Sequence, residues 1–127
     1  MIEVKNLTKY YQDKAAVERV SFKIDKGKTM VLLGTSGCGK TTTLKMINRL
    51  IEPSEGQIWV DGKDVRAQKP EALRRNIGYV IQSAGLFPHY TVAQNIGLVP
   101  TLLKWPDAQI QNRVKALMSL INLDLSL

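Results

Sequence analysis

A glycine-rich stretch, Gly34 to Thr43 with the sequence GTSGCGKTTT, constrains the fold of this chain more than any other feature. The apolar run before it, Lys28 to Leu33, has no helical period and predicts a buried strand. The segment after it repeats apolar residues at helical spacing: Leu44, Ile47, Leu50 and Ile51. The stretch is therefore a predicted turn from a strand into a helix. Its glycines let successive N–H groups point into one concavity, toward which the helix N-terminus also aims its free donors, so we predict that an anion binds there.

The spacing Gly34-x-x-x-x-Gly39-Lys40-Thr41 predicts which anion, because it matches the phosphate-binding P-loop. In that motif the loop amides cradle the α- and β-phosphates of a nucleotide, the lysine reaches the β- and γ-phosphates, and the Ser/Thr hydroxyl ligates Mg²⁺. We therefore predict that Lys40 is a catalytic residue and that Thr41 is a ligand of Mg²⁺. The predicted phosphate-binding residues are Gly34, Thr35, Ser36, Gly37, Cys38, Gly39, Lys40, Thr41 and Thr42.

Composition narrows the class of protein. The 127 residues are 44% hydrophobic and carry a net charge of +7, which suits one globular unit with a modest core. The basic residues are scattered among carboxylates with no aromatic-interleaved basic stripe, so no nucleic-acid partner is predicted. No apolar run approaches the ~18 residues of a membrane span, and the start lacks the apolar region of a signal peptide. We expect a cytoplasmic protein, and the single cysteine, Cys38, fits a reducing compartment.

Local patterns predict the other elements. Alternating apolar residues favour two antiparallel strands, Ile2 to Leu7 and Val17 to Ile24. The later predictions, in chain order, are a strand with an Asp61-Gly62 turn in QIWVDGKDV, a short helix or turn at 72–76, a buried strand at 77–81 that ends at Gln82, and a loop at 83–91. A weak helix interrupted by Gly97 and Pro100 follows, and then an amphipathic helix capped by Asp107 whose apolar face holds Ile110, Val114, Leu117, Met118 and Ile121. The uncovered leucines of LDLSL suggest that the natural domain continues.

Taken together, these motifs resemble the ATP-binding subunit of ABC transporters. The stretch from Val4 to Leu50 resembles the first half of such a subunit. Two segments resemble the subfamily that powers uptake of glycine betaine, carnitine or choline: MINRLIEPSEGQIWVDGKDV and IGYVIQSAGLFPHYTVAQNIGLVPTLLKWP. The resemblance implies an α/β P-loop NTPase fold with an N-terminal antiparallel β subdomain, an incomplete RecA-like core and the start of a helical subdomain. It places the nucleotide-binding part in residues 1–90 and the helical part in residues 91–127.

The resemblance also implies roles for single residues. Tyr11 matches the aromatic residue that stacks on adenine, with Tyr10 as the competing choice, and Val17 would border the base unless it is simply core. Gln82 matches the Q-loop glutamine, a catalytic residue whose amide offers an acceptor for Mg²⁺ and a donor toward the attacking water. The segment 83–90 would contact the membrane-spanning permease, and a second ATPase subunit would complete a homodimer. The implied cofactors are ATP and Mg²⁺.

Three motifs of the family have no match in this sequence: the LSGGQ signature, the Walker B strand with its catalytic glutamate, and the switch histidine. The single histidine, His89, does not occupy the switch position. We therefore expect the N-terminal portion of an ATPase that drives osmoprotectant import at the inner face of the cell membrane. The alternatives are an importer ATPase for another small solute, a truncated non-catalytic nucleotide-binding remnant, and an unrelated P-loop kinase or GTPase. Gln82 and the lack of an Asn-Lys-x-Asp motif argue against the last.

Overall fold

The computed structural model describes residues 1–83 and 85–126, which group into two compact units, Met1–Ile77 and Gly78–Leu127. The first unit contains a four-stranded antiparallel sheet and the helix that follows the glycine-rich loop. The second contains two longer helices. The division between residues 90 and 91 that the family resemblance implies stays a prediction.

The sheet is built on two hairpins that the sequence pattern predicted. Strands β1 (Ile2–Tyr11) and β2 (Lys14–Ile24) pair antiparallel, so the first hairpin is confirmed, and both strands extend further toward the turn than predicted. Strands β3 (Glu55–Val60) and β4 (Lys63–Asp64) form the second, with φ of 49° at Asp61 and 78° at Gly62. Positive φ at both central residues is what a two-residue hairpin turn of this kind requires. The strand order is β2-β1-β3-β4, because β1 also pairs with β3.

Helix α1 (Lys40–Ile47) covers one face of this sheet, and the predicted apolar set is only partly buried: Ile47 is in the core and Ile51 packs against it, whereas Leu50 is exposed. Its buried residues are Thr43, Met46 and Ile47, whereas Leu44 is exposed. Spacing of three and four residues puts those buried positions on a single stripe, and Leu44 lies about 100° around the helix from Thr43. The core cluster is completed by β1, β2, β3, the 3₁₀ turn Val65–Ala67 and the short helix α2 (Pro70–Arg75): its buried members are Val4, Leu7, Val17, Met46, Ile47, Ile58, Val65 and Leu73.

Two predicted buried strands are absent from the described residues. Lys28–Leu33 and Ile77–Ile81 form no strand, and several of their apolar side chains are open to solvent, with Val31 70%, Leu33 88% and Val80 96% exposed. Leu32 and Ile77 are half-buried, and Ile77 packs against the core cluster. The apolar composition is that of a buried strand, but a strand forms only when its N–H and C=O groups find a neighbouring strand. Within residues 1–83 and 85–126, the one sheet contains neither segment. Both strand predictions are therefore wrong for this structure.

In the second unit, helix α3 (Val92–Leu102) runs without a break through Gly97 and Pro100, so the predicted interruption is wrong. A capping box at Thr91 and Gln94 starts the helix, because each side chain accepts a hydrogen bond from the backbone N–H of the other residue. Gly97 is buried where α3 meets the next helix, and a Cβ there would lie 3.2 Å from Cγ2 of Ile110. The helices therefore pack closely at Gly97, and α3 continues past Pro100 although this residue has no N–H to donate.

Helix α4 (Asp107–Leu120) is confirmed as amphipathic, with Val114 and Met118 buried on the predicted face and Ile121 exposed beyond its end. Its N-cap is Pro106 and not Asp107, which is instead the first helical residue. The carboxylate still lies in the first turn, where it complements the positive end of the helix dipole. None of the helices in the described part of the chain has both the length and the apolarity to cross a membrane.

Candidate phosphate-binding site

The glycine-rich loop connects the unpaired segment 28–33 to α1 through two left-handed glycines. Gly37 has φ of 83° and Gly39, the N-cap of α1, has φ of 98°. The Cys38 N–H donates to the Thr35 carbonyl oxygen at 3.2 Å and closes the tip of the loop. The first helical hydrogen bond runs from the Thr43 N–H to the Gly39 carbonyl oxygen at 2.9 Å. The amides of residues 40–42 therefore have no partner inside the helix, as an anion site at a helix N-terminus requires.

Gly39 also fastens the loop to the sheet, because its backbone lies directly against β2. A Cβ built on Gly39 would lie 2.4 Å from the Ala16 carbonyl oxygen and 3.0 Å from Cγ2 of Val17. Only a residue without a side chain fits there. A Cβ on Gly34 would similarly lie 2.4 Å from Sγ of Cys38, so the two ends of the loop close on each other.

The C-terminal end of α1 is fastened by two arginines. Arg74 donates from Nε to the Asn48 carbonyl oxygen at 3.0 Å, and from Nη2 to the Arg49 carbonyl oxygen. Arg49 in turn donates to the carbonyl oxygens of Val65 and Gln68, at 3.3 Å and 3.0 Å. The carbonyl oxygens at the C-terminal end of a helix have no partner inside the helix. A cationic side chain that donates to them satisfies these acceptors and also complements the negative end of the helix dipole. The helix that presents the loop amides is thus held at both ends.

Lys40 supplies the positive charge of the loop. Its Nζ donates a hydrogen bond to the Gly34 carbonyl oxygen. The side chain therefore folds back across the loop, which begins at Gly34 and ends at Lys40. An ammonium group has three donor hydrogens, and this contact uses one. The ammonium group therefore keeps donors for a further acceptor, and it lies within hydrogen-bond distance of the first residue of the loop.

A cavity of about 420 Å³ lies beside the loop and brings together Val17, Cys38, Gly39 and Lys40 from the predicted set. Tyr11, Thr41 and Thr42 do not line it. Its remaining walls are largely apolar and include one carboxylate: Ala16, Glu18, Val20, Val31, Leu32, Leu33 and Thr43. Among these lining residues Lys40 offers cationic donors and Glu18 a carboxylate. Val17 itself is buried in the core cluster, so it offers a base little surface.

Tyr11, the last residue of β1, is 48% exposed, and Tyr10 is exposed as well. The Lys9 Nζ is 5.3 Å from the centroid of the Tyr11 ring and donates to the Glu52 carbonyl oxygen at 2.9 Å. The ammonium therefore occupies a set position beside the ring, in an attractive cation–π contact. Sequence reasoning missed Lys9, because nothing in the local pattern shows that β1 passes close to residue 52.

Gln82 and the loop after it belong to the second unit, and Ala84 lies outside the described residues. Gln82 is exposed, directly after the unpaired segment 77–81. Beyond it, Leu86 and Phe87 project into solvent, and the Phe87 and Tyr90 rings lie 5.1 Å apart between centroids. Sequence reasoning also missed Asn95, whose side chain bonds this loop. The available signal was an asparagine inside a helix, since that residue type competes for nearby backbone groups.

Comparison with known proteins identifies what this arrangement is similar to. A family model described as "ABC transporter" matches residues 17–126. The chain is 54% identical over 124 residues to a choline transport ATP-binding protein of Bacillus subtilis, a match that covers 97% of this chain and 32% of that protein. It is 51% identical to a glycine betaine/carnitine/choline transport ATP-binding protein of the same organism, covering 97% and 33%. The chain thus spans about a third of the length of these relatives, and the resemblance inferred from the sequence is confirmed.

The fold also matches a solved structure. The dimeric structure of MJ0796, described as a bacterial ABC transporter cassette, superimposes with a TM-score of 0.83 at 28% sequence identity. The match covers 99% of this chain and 59% of that one. The predicted fold class is therefore confirmed.

Proposed function

This chain belongs to the ABC transporter family, and on that premise we propose that it is the P-loop part of an importer's ATP-binding subunit. The proposed cargo is a quaternary-amine osmoprotectant such as choline, carnitine or glycine betaine, because the relatives above are named for those solutes. The observation that carries the proposal is the loop itself: Gly39 holds the N-terminus of α1 against the sheet, and Lys40 folds its ammonium across the loop.

Each site residue has a role that its chemistry supports. The amides of residues 34–42 and the Lys40 ammonium bind and orient the phosphates of ATP, since they place donors and positive charge together. The Thr41 hydroxyl and the Gln82 carbonyl oxygen are hard oxygen donors of the kind Mg²⁺ prefers. When bound, Mg²⁺ would neutralise charge on the phosphates. Gln82 would also orient the attacking water, and Tyr11 would stack on the base.

The proposed partners follow from the same family. The loop 83–90 would contact a membrane-spanning permease, since Leu86, Phe87 and Tyr90 expose apolar surface there. A second ATPase subunit would complete a head-to-tail homodimer, in which the signature motif of one subunit faces the P-loop of the other. We therefore propose a peripheral position on the inner face of the cell membrane.

The direct test is loss of the Lys40 charge. We expect Lys40→Ala to weaken Mg-ATP binding about 10- to 100-fold, because a charge-assisted hydrogen bond contributes roughly 1.5–3 kcal/mol. Calorimetry is done on a chimaera in which this chain replaces the corresponding segment of the B. subtilis choline relative. Lys45→Ala, in the last turn of the same helix, is the matched control and should bind normally. Equal affinity of Lys40→Ala and the parent protein would refute the site.

A second prediction concerns the base. Tyr11→Ala should weaken ATP binding by an expected ~1–3 kcal/mol, as base–aromatic stacking does elsewhere, and Tyr11→Phe should be nearly neutral. GTP should bind only slightly less well than ATP, because stacking uses the face of the ring system and few of its edges. Fluorescence titration of the chimaera with both nucleotides measures this. If Tyr10→Ala weakens binding and Tyr11→Ala does not, the assignment is shifted by one residue.

A third prediction concerns the 127 residues by themselves, which we expect to show no sustained ATP turnover and no sharp melt. The sequence contains no match to the base that activates water or to the opposing signature. Side chains such as Val31 and Val80 are exposed. Burying each would contribute about 1.5–3 kcal/mol, against the ~5–15 kcal/mol stability of an ordinary domain. Phosphate release and thermal melting are compared with the chimaera. Sustained turnover with a cooperative melt of the short chain would contradict this prediction.

A further inference from the structure

The loop between Gln82 and α3 is exposed, yet its described part has a defined internal structure. Leu86 is 68% exposed and Phe87 is 46% exposed. The ring centroids of His89 and Tyr90 lie 4.5 Å apart at an interplanar angle of 70°, and Phe87 packs on the same pair. Three rings in edge-to-face and tilted contact on a short exposed loop cover one another only in part, so ring packing alone does not explain why the loop has one conformation.

The structure that holds the loop is one side chain, the carboxamide of Asn95. Its Oδ1 accepts a hydrogen bond from the Phe87 N–H at 2.9 Å. Its Nδ2 donates toward three carbonyl oxygens: Thr91 at 3.0 Å, Phe87 at 3.2 Å and Tyr90 at 3.4 Å. The Asn95 side chain therefore bonds both Phe87 and Tyr90, the first and last aromatic residues of the loop, from a position one turn into α3.

The position of Asn95 in α3 explains only its bond to the Thr91 carbonyl oxygen and not its bonds to Phe87 and Tyr90. The capping box of Thr91 and Gln94 already starts the helix, and the Asn95 N–H makes an ordinary helical bond to the Thr91 carbonyl oxygen at 3.0 Å. An asparagine is also a weaker helix former than alanine, so helix stability does not favour it here. The side chain serves the loop.

We propose that Asn95 is a positioning residue that holds Leu86–Tyr90 in one conformation, so that these apolar side chains are pre-ordered for the membrane-spanning partner. Pre-ordering raises affinity because a loop that is already fixed loses less conformational entropy on binding. The identity of the partner rests on the proposed function, whereas the holding of the loop does not. The two parts are therefore tested by different measurements.

Amide hydrogen exchange, measured on the chimaera, tests whether Asn95 holds the loop. In Asn95→Ala the Phe87 N–H loses its acceptor, and we expect it to exchange about tenfold faster or more, the change that ~1.4 kcal/mol produces. In Asn95→Asp the acceptor is kept, so Phe87 should stay more protected than in Asn95→Ala, while the carboxylate repels the carbonyl oxygens of Tyr90 and Thr91. Amides within α3 should stay protected in both variants. Asn112→Ala, which removes the same side chain from an exposed position of α4, should change nothing.

Association with the permease tests whether an ordered loop raises affinity for this partner. In the chimaera, reconstituted with the choline permease, we expect Asn95→Ala to weaken assembly and transport about tenfold while the Kd for Mg-ATP stays within about twofold. Unchanged Phe87 exchange in Asn95→Ala would overturn the positioning role. Faster exchange with undiminished assembly would overturn the claim that order in this loop serves the partner. If the parent chimaera binds ATP but not the permease, the proposed partner fails, and Phe87 exchange still decides the role of Asn95.

Discussion

Replacing Gly39 with alanine is expected to abolish measurable Mg-ATP binding. The new Cβ would lie 2.4 Å from the Ala16 carbonyl oxygen, and this neighbour is backbone of β2, which cannot rotate away as a side chain could. The residue also has φ of 98°, a region that costs an L-residue about 1–2 kcal/mol. Relief requires α1 to move off the sheet, and the loop amides and Lys40 would move with it. A displacement of this kind separates donors that must converge on one phosphate.

Gly37 provides a control in the same loop. Its φ is 83°, close to that of Gly39, but a Cβ there would meet nothing within 4 Å. Gly37→Ala should therefore show only the conformational cost and a reduction of affinity of about tenfold. Calorimetry of both variants in the chimaera separates packing against β2 from backbone strain. Similar affinities for the two variants would show that the contact with Ala16 is unimportant.

The largest loss of fold stability is expected from Gly56→Ala in β3. A Cβ at Gly56 would lie 2.5 Å from the Asn6 carbonyl oxygen and 2.7 Å from Cα of Leu7, and φ is 96°. Both obstacles are backbone of the paired strand β1, whose Leu7 side chain is fully buried. We expect a destabilisation of about 3 kcal/mol or more, the sum of left-handed strain and overpacking.

Gly62 is the matched control, because it has φ of 78° in the β3–β4 turn with open space around its Cα. Gly62→Ala should cost only about 1–2 kcal/mol. Amide exchange of the β1 and β3 ladder in the chimaera measures both changes. We expect exchange about 100-fold faster in Gly56→Ala, following from ~3 kcal/mol, and a much smaller change in Gly62→Ala. Equal acceleration in the two variants would contradict the role of close strand contact.

Local pattern alone predicted several elements correctly. The first hairpin, the Asp61-Gly62 turn and the amphipathic face of α4 are set by residues within a few positions of each other, through alternation, turn preference and helical period. The glycine-rich turn into a helix was predicted in the same way, since the positive φ of Gly37 and Gly39 and the following helix are local properties. Phosphate binding by this loop stays a prediction. The roles of Tyr11 and Gln82 came from family resemblance and stay predictions.

Strand pairing and close packing contacts could not be predicted from the local pattern, because they depend on residues distant in the chain. Whether Lys28–Leu33 and Ile77–Ile81 are strands depends on neighbouring strands, and the described residues provide none. Helix α3 continues through Gly97 and Pro100, and α4 packs closely against it at Gly97. The contact of Gly39 with Ala16 appears only once the chain has folded back on itself. Sequence determined the local conformations, and tertiary structure determined which of them were buried, because burial and strand pairing are interactions between residues far apart in sequence.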